Sequence, residues 1–170
     1  MMDGLVHFPS GSSPVRNRSR GSMFSQTVEY ALRAAMYLAE HPDSAASSER
    51  ISEAMQVPKP YLSKILRDLV VAEIVTSMRG PNGGFVLARP AHSITVLDVV
   101  NAVDPIKRIK TCPLGRPDHQ QLCPLHRQMD SAIEHVECSL RSTTLAQLAM
   151  STASLPVLQL QPPPGRAKRR

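Results

Sequence analysis

Apolar residues first recur at helical spacing after Ser25: Val28, Leu32, Ala35 and Leu38 or Ala39 share a face, and Ser25 stands where a cap belongs. The stretch HPDSAASS breaks this pattern. SERISEAM then predicts a short second helix, with Ser48 as its cap, Glu49 in the first turn, and Ile51, Ala54 and Met55 on one side. After the connector QVP comes KPYLSKILRDLVVAEIV, where Pro60 suits a first helical position. Leu62, Ile65, Leu66 and Leu69 follow the i, i+3, i+4, i+7 rule, which leaves Tyr61, Ser63, Lys64 and Arg67 on the outer face. Residues Ile74 to Met78 and Phe85 to Ala88 read as strands joined by the Gly-rich turn RGPNGG. A helix pair of this kind followed directly by a hairpin is a winged helix-turn-helix.

The second half has longer helical periods. Thr95 with Asp98 forms a capping box for a helix that turns Leu97, Val100 and Val103 inward. Residues 105–122 form an irregular loop. Beyond it Leu122, Leu125, Met129, Ile133, Val136 and Leu140 make a seam that suits a partner helix, or else packs on the chain's own domain. Thr144 with Gln147 opens a last short helix. The expected fold is mainly α with a small β-hairpin: a winged helix-turn-helix domain plus a long C-terminal dimerisation helix. The expected divisions are a disordered extension over 1–22 (with Met23 an alternative start), the DNA-binding domain over 23–91, sensor loop and dimerisation helices over 92–150, and a disordered basic tail over 151–170.

Charge sharpens this picture only after it is divided along the chain. The net charge is +6, yet the first 22 residues hold Arg16, Arg18 and Arg20, and the last 20 hold Arg166, Lys168, Arg169 and Arg170. The body between is neutral, so the basic tails alone do not identify a nucleic-acid partner. No apolar run approaches the ~18 residues a spanning helix needs, so a soluble protein without a membrane partner is expected. Three cysteines without an export signal point to a reducing cytoplasm. No Ser-His-Asp set, paired-carboxylate motif or nucleotide loop is visible, so an enzyme is not expected.

The wing carries the sharper signal. Its turn is followed by a strand and lacks Gly-Lys-Ser/Thr, which disfavours an NTPase phosphate loop. In a winged helix the second helix lies in the major groove and the hairpin reaches the minor groove. A single cation, Arg79, can enter that narrow, negative groove over A·T-rich steps. Asn82, Gly83 and Gly84 form the tip that lets backbone approach phosphate. On the helix, Lys64 and Arg67 are candidates for phosphate or guanine contacts, with Tyr61 and Ser63 as lesser donors. The plainer alternatives are a solvated hairpin and a Lys64–Asp68 helix ion pair. A winged-helix protein-interaction module without DNA binding is the competing function.

Three pieces in order, VEYALRAAMYLA, VPKPYLSKIL with RGPNGGFVLARP, and ITVLDVVNAVDP with CPLG and CPLH, carry a likeness over residues 23–150. In them the chain resembles the Rrf-type (IscR/NsrR-like) winged-helix transcriptional regulators. That resemblance implies a homodimer crossed through the long helices, here Leu125, Met129, Ile133, Val136 and Leu140. It also implies repression at a pseudo-palindromic operator in double-stranded DNA, with Arg79 as the minor-groove residue. Relatives usually carry Gly where Glu73 stands, so the resemblance implies a strained cap or a different helix end here.

Cluster-binding relatives place three cysteines before the dimer helix. Cys112 stands at the first of these positions and Cys123 at the last, with His126 at the Cys-x-x-His spacing. The middle cysteine is missing, with Asp118 or His119 near its place, and Cys138 falls off the inner stripe. Glu29 matches a first-helix position that supplies an acidic ligand in some relatives. Four readings stay open: no bound cofactor, a 2Fe–2S cluster, a disulfide switch, or zinc. Without a metal, CPLG and CPLH serve as turn and cap chemistry.

Overall fold

The structure is a computed structural model of the 170-residue chain and describes residues 23–80, 83–112 and 122–153. The expected N-terminal extension, most of the basic tail, Asn82, Asp118 and His119 lie outside the described residues. Six α-helices and one hairpin succeed one another: α1 (Gln26–Glu40), α2 (Ser48–Met55), α3 (Lys59–Val71), β1 (Val75–Met78), β2 (Gly84–Leu87), α4 (Val96–Val103), α5 (Pro124–Ser142) and α6 (Leu145–Ala153).

Local chemistry fixes each helix end. Ser25 accepts from the Val28 N–H at the start of α1. Ser47, one residue before the expected Ser48, accepts from the Arg50 N–H and caps α2. Ser48 is the first helical residue and its hydroxyl donates to Glu49. The expected inner face of α2 is also narrower, because Ala54 is exposed while Ile51 is buried. Between α2 and α3, Gln56 takes the left-handed conformation at φ 52°, Val57 is buried, and Pro58 stands at the cap position before Lys59. This tight corner is what sets α3 across α2.

At the far end of α3, Glu73 takes the glycine-like role with φ 55°. The Ile74 N–H donates to Leu69 O at 3.0 Å and the Glu73 N–H to Val70 O at 3.1 Å, which together make a Schellman cap. The helix therefore ends as it would with Gly, at a conformational cost. Ile74, buried beside Leu69, supplies the apolar contact that holds this cap closed. The strands pair antiparallel in the register Val75↔Leu87 to Met78↔Gly84. The first strand starts one residue later than expected, because Ile74 belongs to the cap, and the second is shifted one residue back, to Gly84–Leu87, with Ala88 past the ladder.

One core gathers Ala31, Ala34, Leu38, Ile51, Leu62, Leu66, Ile74, Val99 and Leu145. Burying a Leu or Ile is worth about 1.5–3 kcal/mol. The inward stripe of α3 thus decides its placement, and its outer face is left to chemistry. The capping box of α4 forms in both directions between Thr95 and Asp98. The second box forms too, with Thr144 and Gln147 exchanging hydrogen bonds. Thr95 and Thr144 bridge, with Val96 N–H to Thr143 O at 2.9 Å and Leu145 N–H to Ile94 O at 3.0 Å, so α6 returns to the core. By contrast α5 contains no fully buried residue.

Candidate nucleic-acid interface and thiol site

The outer face of α3 presents Tyr61, Ser63, Lys64 and Arg67, all exposed, while Leu62, Ile65, Leu66 and Leu69 are buried. Among the described residues no carboxylate lies in ion-pair reach of Lys64, Arg67 or Arg79, so the Lys64–Asp68 pair is not made. Ser63 is less available than its neighbours, since its hydroxyl donates to Lys59 O at 3.1 Å. Arg79 directly follows β1 and is exposed, and Gly80 beyond it adopts φ 118°, a conformation glycine reaches at little cost.

The two wing glycines have reasons inside the fold. A Cβ on Gly83 would run into the Met78 carbonyl, and the Gly83 N–H closes the turn onto Gly80 O at 2.9 Å. A Cβ on Gly84 would stand 2.5 Å from Ala46 O. That crowding exists because Ala46 and Phe85 bridge, with N–H to O distances of 3.0 and 2.8 Å. The hairpin is therefore stitched to the segment between α1 and α2.

Sequence reading missed two residues of this face. Tyr30 on α1 lies 6.3 Å, ring centroid to centroid, from Tyr61, and the Arg33 guanidinium sits 5.8 Å over the Tyr30 ring. Gln26 Nε2 donates to the Tyr30 hydroxyl at 2.8 Å. The only signal was that these positions are the polar side of α1. Their approach to α3 is a tertiary fact.

A second grouping lies at the start of α5. Cys123 occupies the cap position and Pro124 the first turn. His126 Nδ1 is 3.2 Å from Cys123 Sγ and 3.5 Å from Cys112 Sγ, and the donor atoms of the three residues all lie within 4.8 Å of one another. All three are half-buried. The His126 backbone N–H, with help from Cys112 and the Leu125 N–H, holds the Cys123 thiol below its ordinary range, against partial desolvation. Glu29, half-buried on α1, does not join this group within the chain, and Cys138 is exposed and separate. Two soft sulfurs and an imidazole nitrogen suit iron–sulfur or zinc chemistry, and they supply three of four usual ligands.

Of the expected seam, Leu125 is 64% and Met129 48% exposed, whereas Ile133, Val136 and Leu140 are half-buried. Ile133 and Val136 line an apolar cavity of about 250 Å³ with Phe24, Val28, Val100 and Ile106. The seam thus packs partly on its own chain and partly on nothing among the described residues. No helix among them is long and apolar enough to cross a membrane.

A winged helix whose second helix and hairpin carry exposed cations, unpaired among the described residues, is the architecture of a DNA-binding transcriptional regulator. Residues 24–151 match the family described as Rrf2, iron-dependent transcriptional regulator, and the chain belongs to it. A helix-turn-helix-type transcriptional regulator of Aquifex aeolicus is 29% identical over 130 residues, which are 74% of this chain and 90% of that protein. CymR, the global cysteine regulator of B. subtilis, superimposes with TM-score 0.64 at 25% identity, over 77% of this chain and 98% of its own. The T. potens IscR structure shares the fold at TM-score 0.67 and 24% identity, covering 80% and 93%. These relatives are regulators, not enzymes.

Proposed function

We propose that the protein is a homodimeric repressor whose α3 enters the major groove of each half-site of a pseudo-palindromic operator. Arg79 reaches the adjacent minor groove, while Asn82, Gly83 and Gly84 form the tip that approaches phosphate. The observation that carries this reading is that Lys64, Arg67 and Arg79 are exposed with no carboxylate partner among the described residues. A cation already paired with a carboxylate releases little from the DNA counterion atmosphere. Leu125 and Met129, left exposed on α5, are the surface on which a second copy packs, with Ile133, Val136 and Leu140 continuing the seam.

Signal reception belongs to Cys112, Cys123 and His126, which would hold an iron centre of the 2Fe–2S kind. The fourth position falls to Glu29 or to a residue of the 113–121 segment such as His119. When bound, such a centre supplies a one-electron change of charge at the base of α5. The chain's own part is to present two thiolates and one imidazole there. The test is titration of the full chain against duplexes selected from a random library, at rising salt. Affinity should fall steeply with salt, and Lys64→Ala or Arg67→Ala should each reduce the slope by about 1. Salt-independent binding would sink the DNA reading. For the sensor, anaerobically purified protein without iron and without visible absorbance would remove the cluster.

A further inference from the structure

Four residues before Cys112, the Arg108 side chain grips α5. Its Nε and Nη2 donate to the two oxygens of Asp130 at 2.8 and 2.7 Å, the bidentate geometry in which a guanidinium matches a carboxylate. Nη2 also reaches Glu134 at 3.3 Å and Nη1 reaches Glu137 at 3.4 Å. The Ile109 N–H adds a fifth bond, to Asp130 Oδ1 at 2.8 Å. Asp130, Glu134 and Glu137 recur at i, i+4, i+7 on α5, a stripe of like charge that would repel itself if left bare. Among the described residues, Arg108 is the only cation that makes ion pairs with it.

We infer that Arg108 and Asp130 are positioning residues for the thiol site: they pin the 107–110 segment to α5 and so hold Cys112 against Cys123 and His126. Asp130 lies one helical turn after His126, so the carboxylate that takes the guanidinium and the imidazole that meets both sulfurs share a face. Among the described residues, no other hydrogen bond ties residues 107–111 to α5. From the anchored Ile109 three residues, about 10 Å of extended chain, lead to Cys112. Without the anchor the nearest packed residue is Ile106, and the tether doubles to about 20 Å, enough to carry Cys112 far past contact with Cys123. The network does not hold the core together, for none of its members belongs to a buried cluster. Its product is the convergence of donors that stand before and after residues 113–121 in the sequence.

This inference rests on reading Cys112, Cys123 and His126 as a site, but its test needs no metal. In the full-length Cys138→Ser protein only two thiols remain. Exchange with glutathione then follows one balanced step, in which the two thiols and one oxidised glutathione give one protein disulfide and two reduced glutathiones. The equilibrium constant is the effective concentration of Cys112 at Cys123. Arg108→Met and Asp130→Asn should each lower it about tenfold or more, the scale on which outer-shell partners act at metal sites. Arg89→Met, which removes the remote 4.0 Å pair with Asp98, should leave it unchanged. Arg108→Lys should restore only part of the loss, because an ammonium cannot grip bidentately. An unchanged constant in both latch variants, or an equal fall in the Arg89 control, would overturn the inference. An iron-free protein that still shows the loss upholds the latch and removes the cluster alone.

Discussion

Two charged surfaces of this molecule are arranged in opposite ways. On α3 and the hairpin, Lys64, Arg67 and Arg79 face solvent without a carboxylate partner among the described residues. On α5 the three carboxylates Asp130, Glu134 and Glu137 are gathered within the chain onto one cation, Arg108, while Leu125 and Met129 remain exposed. A surface that meets phosphate keeps its cations unpaired. One that meets protein keeps apolar area and disposes of its charges elsewhere. The difference is drawn within one neutral body, which is why net charge says so little here.

The largest effect is expected from Leu125→Asp. By placing a charge on the exposed seam it should yield a monomer in sedimentation and weaken operator binding about 100-fold or more, since the second half-site ceases to be intramolecular. A dimer that survives the change would assign α5 another role. On the opposite surface, Gly84→Ala forces a methyl against the Ala46 backbone and should cost about 1–3 kcal/mol, read as a lowered melting temperature. An unaltered melt would mean that the hairpin is not held where the Ala46–Phe85 bridge puts it.

Smaller still is Glu73→Gly, expected to stabilise by up to about 1 kcal/mol because the left-handed cap ceases to be strained. The last effect is one of pH. Asp130 is held down to about 2, first by its hydrogen bonds to Arg108 and next by the Ile109 N–H. Its pKa is thus depressed below an unfolded value near 3.9. The latch's contribution should be fully present above about pH 4 and vanish as pH falls through about 2. Chemical shifts of residues 107–112 across that window would show it, and their constancy would deny it.

How legible was all this? The α3 stripe was plain, because four large aliphatics at 3.6 spacing leave one way to pack. Both capping boxes were readable from pairs three residues apart. Less local features were not. Ser47 and Ser48 are chemically alike, and which one caps depends on backbone direction. The second strand begins one residue early, at Gly84, beside the Ala46–Phe85 bridge, whose partner Ala46 is far away in sequence. Cys123 and His126 were suggested by their spacing, and Cys112 by likeness, but their convergence depends on Arg108, whose partners lie 22 to 29 residues onward. Tyr30 and Arg33, whose approach to Tyr61 of α3 is equally non-local, were missed for the same reason.

The most direct test of the central claim compares Arg79→Ala with the parent on a selected duplex whose flanking A·T steps are kept or replaced by G·C. The parent should prefer the A·T flank by about tenfold or more, and the variant should bind both within about twofold. A variant that weakens overall yet keeps the parent's full preference would contradict the placement of this arginine in the minor groove.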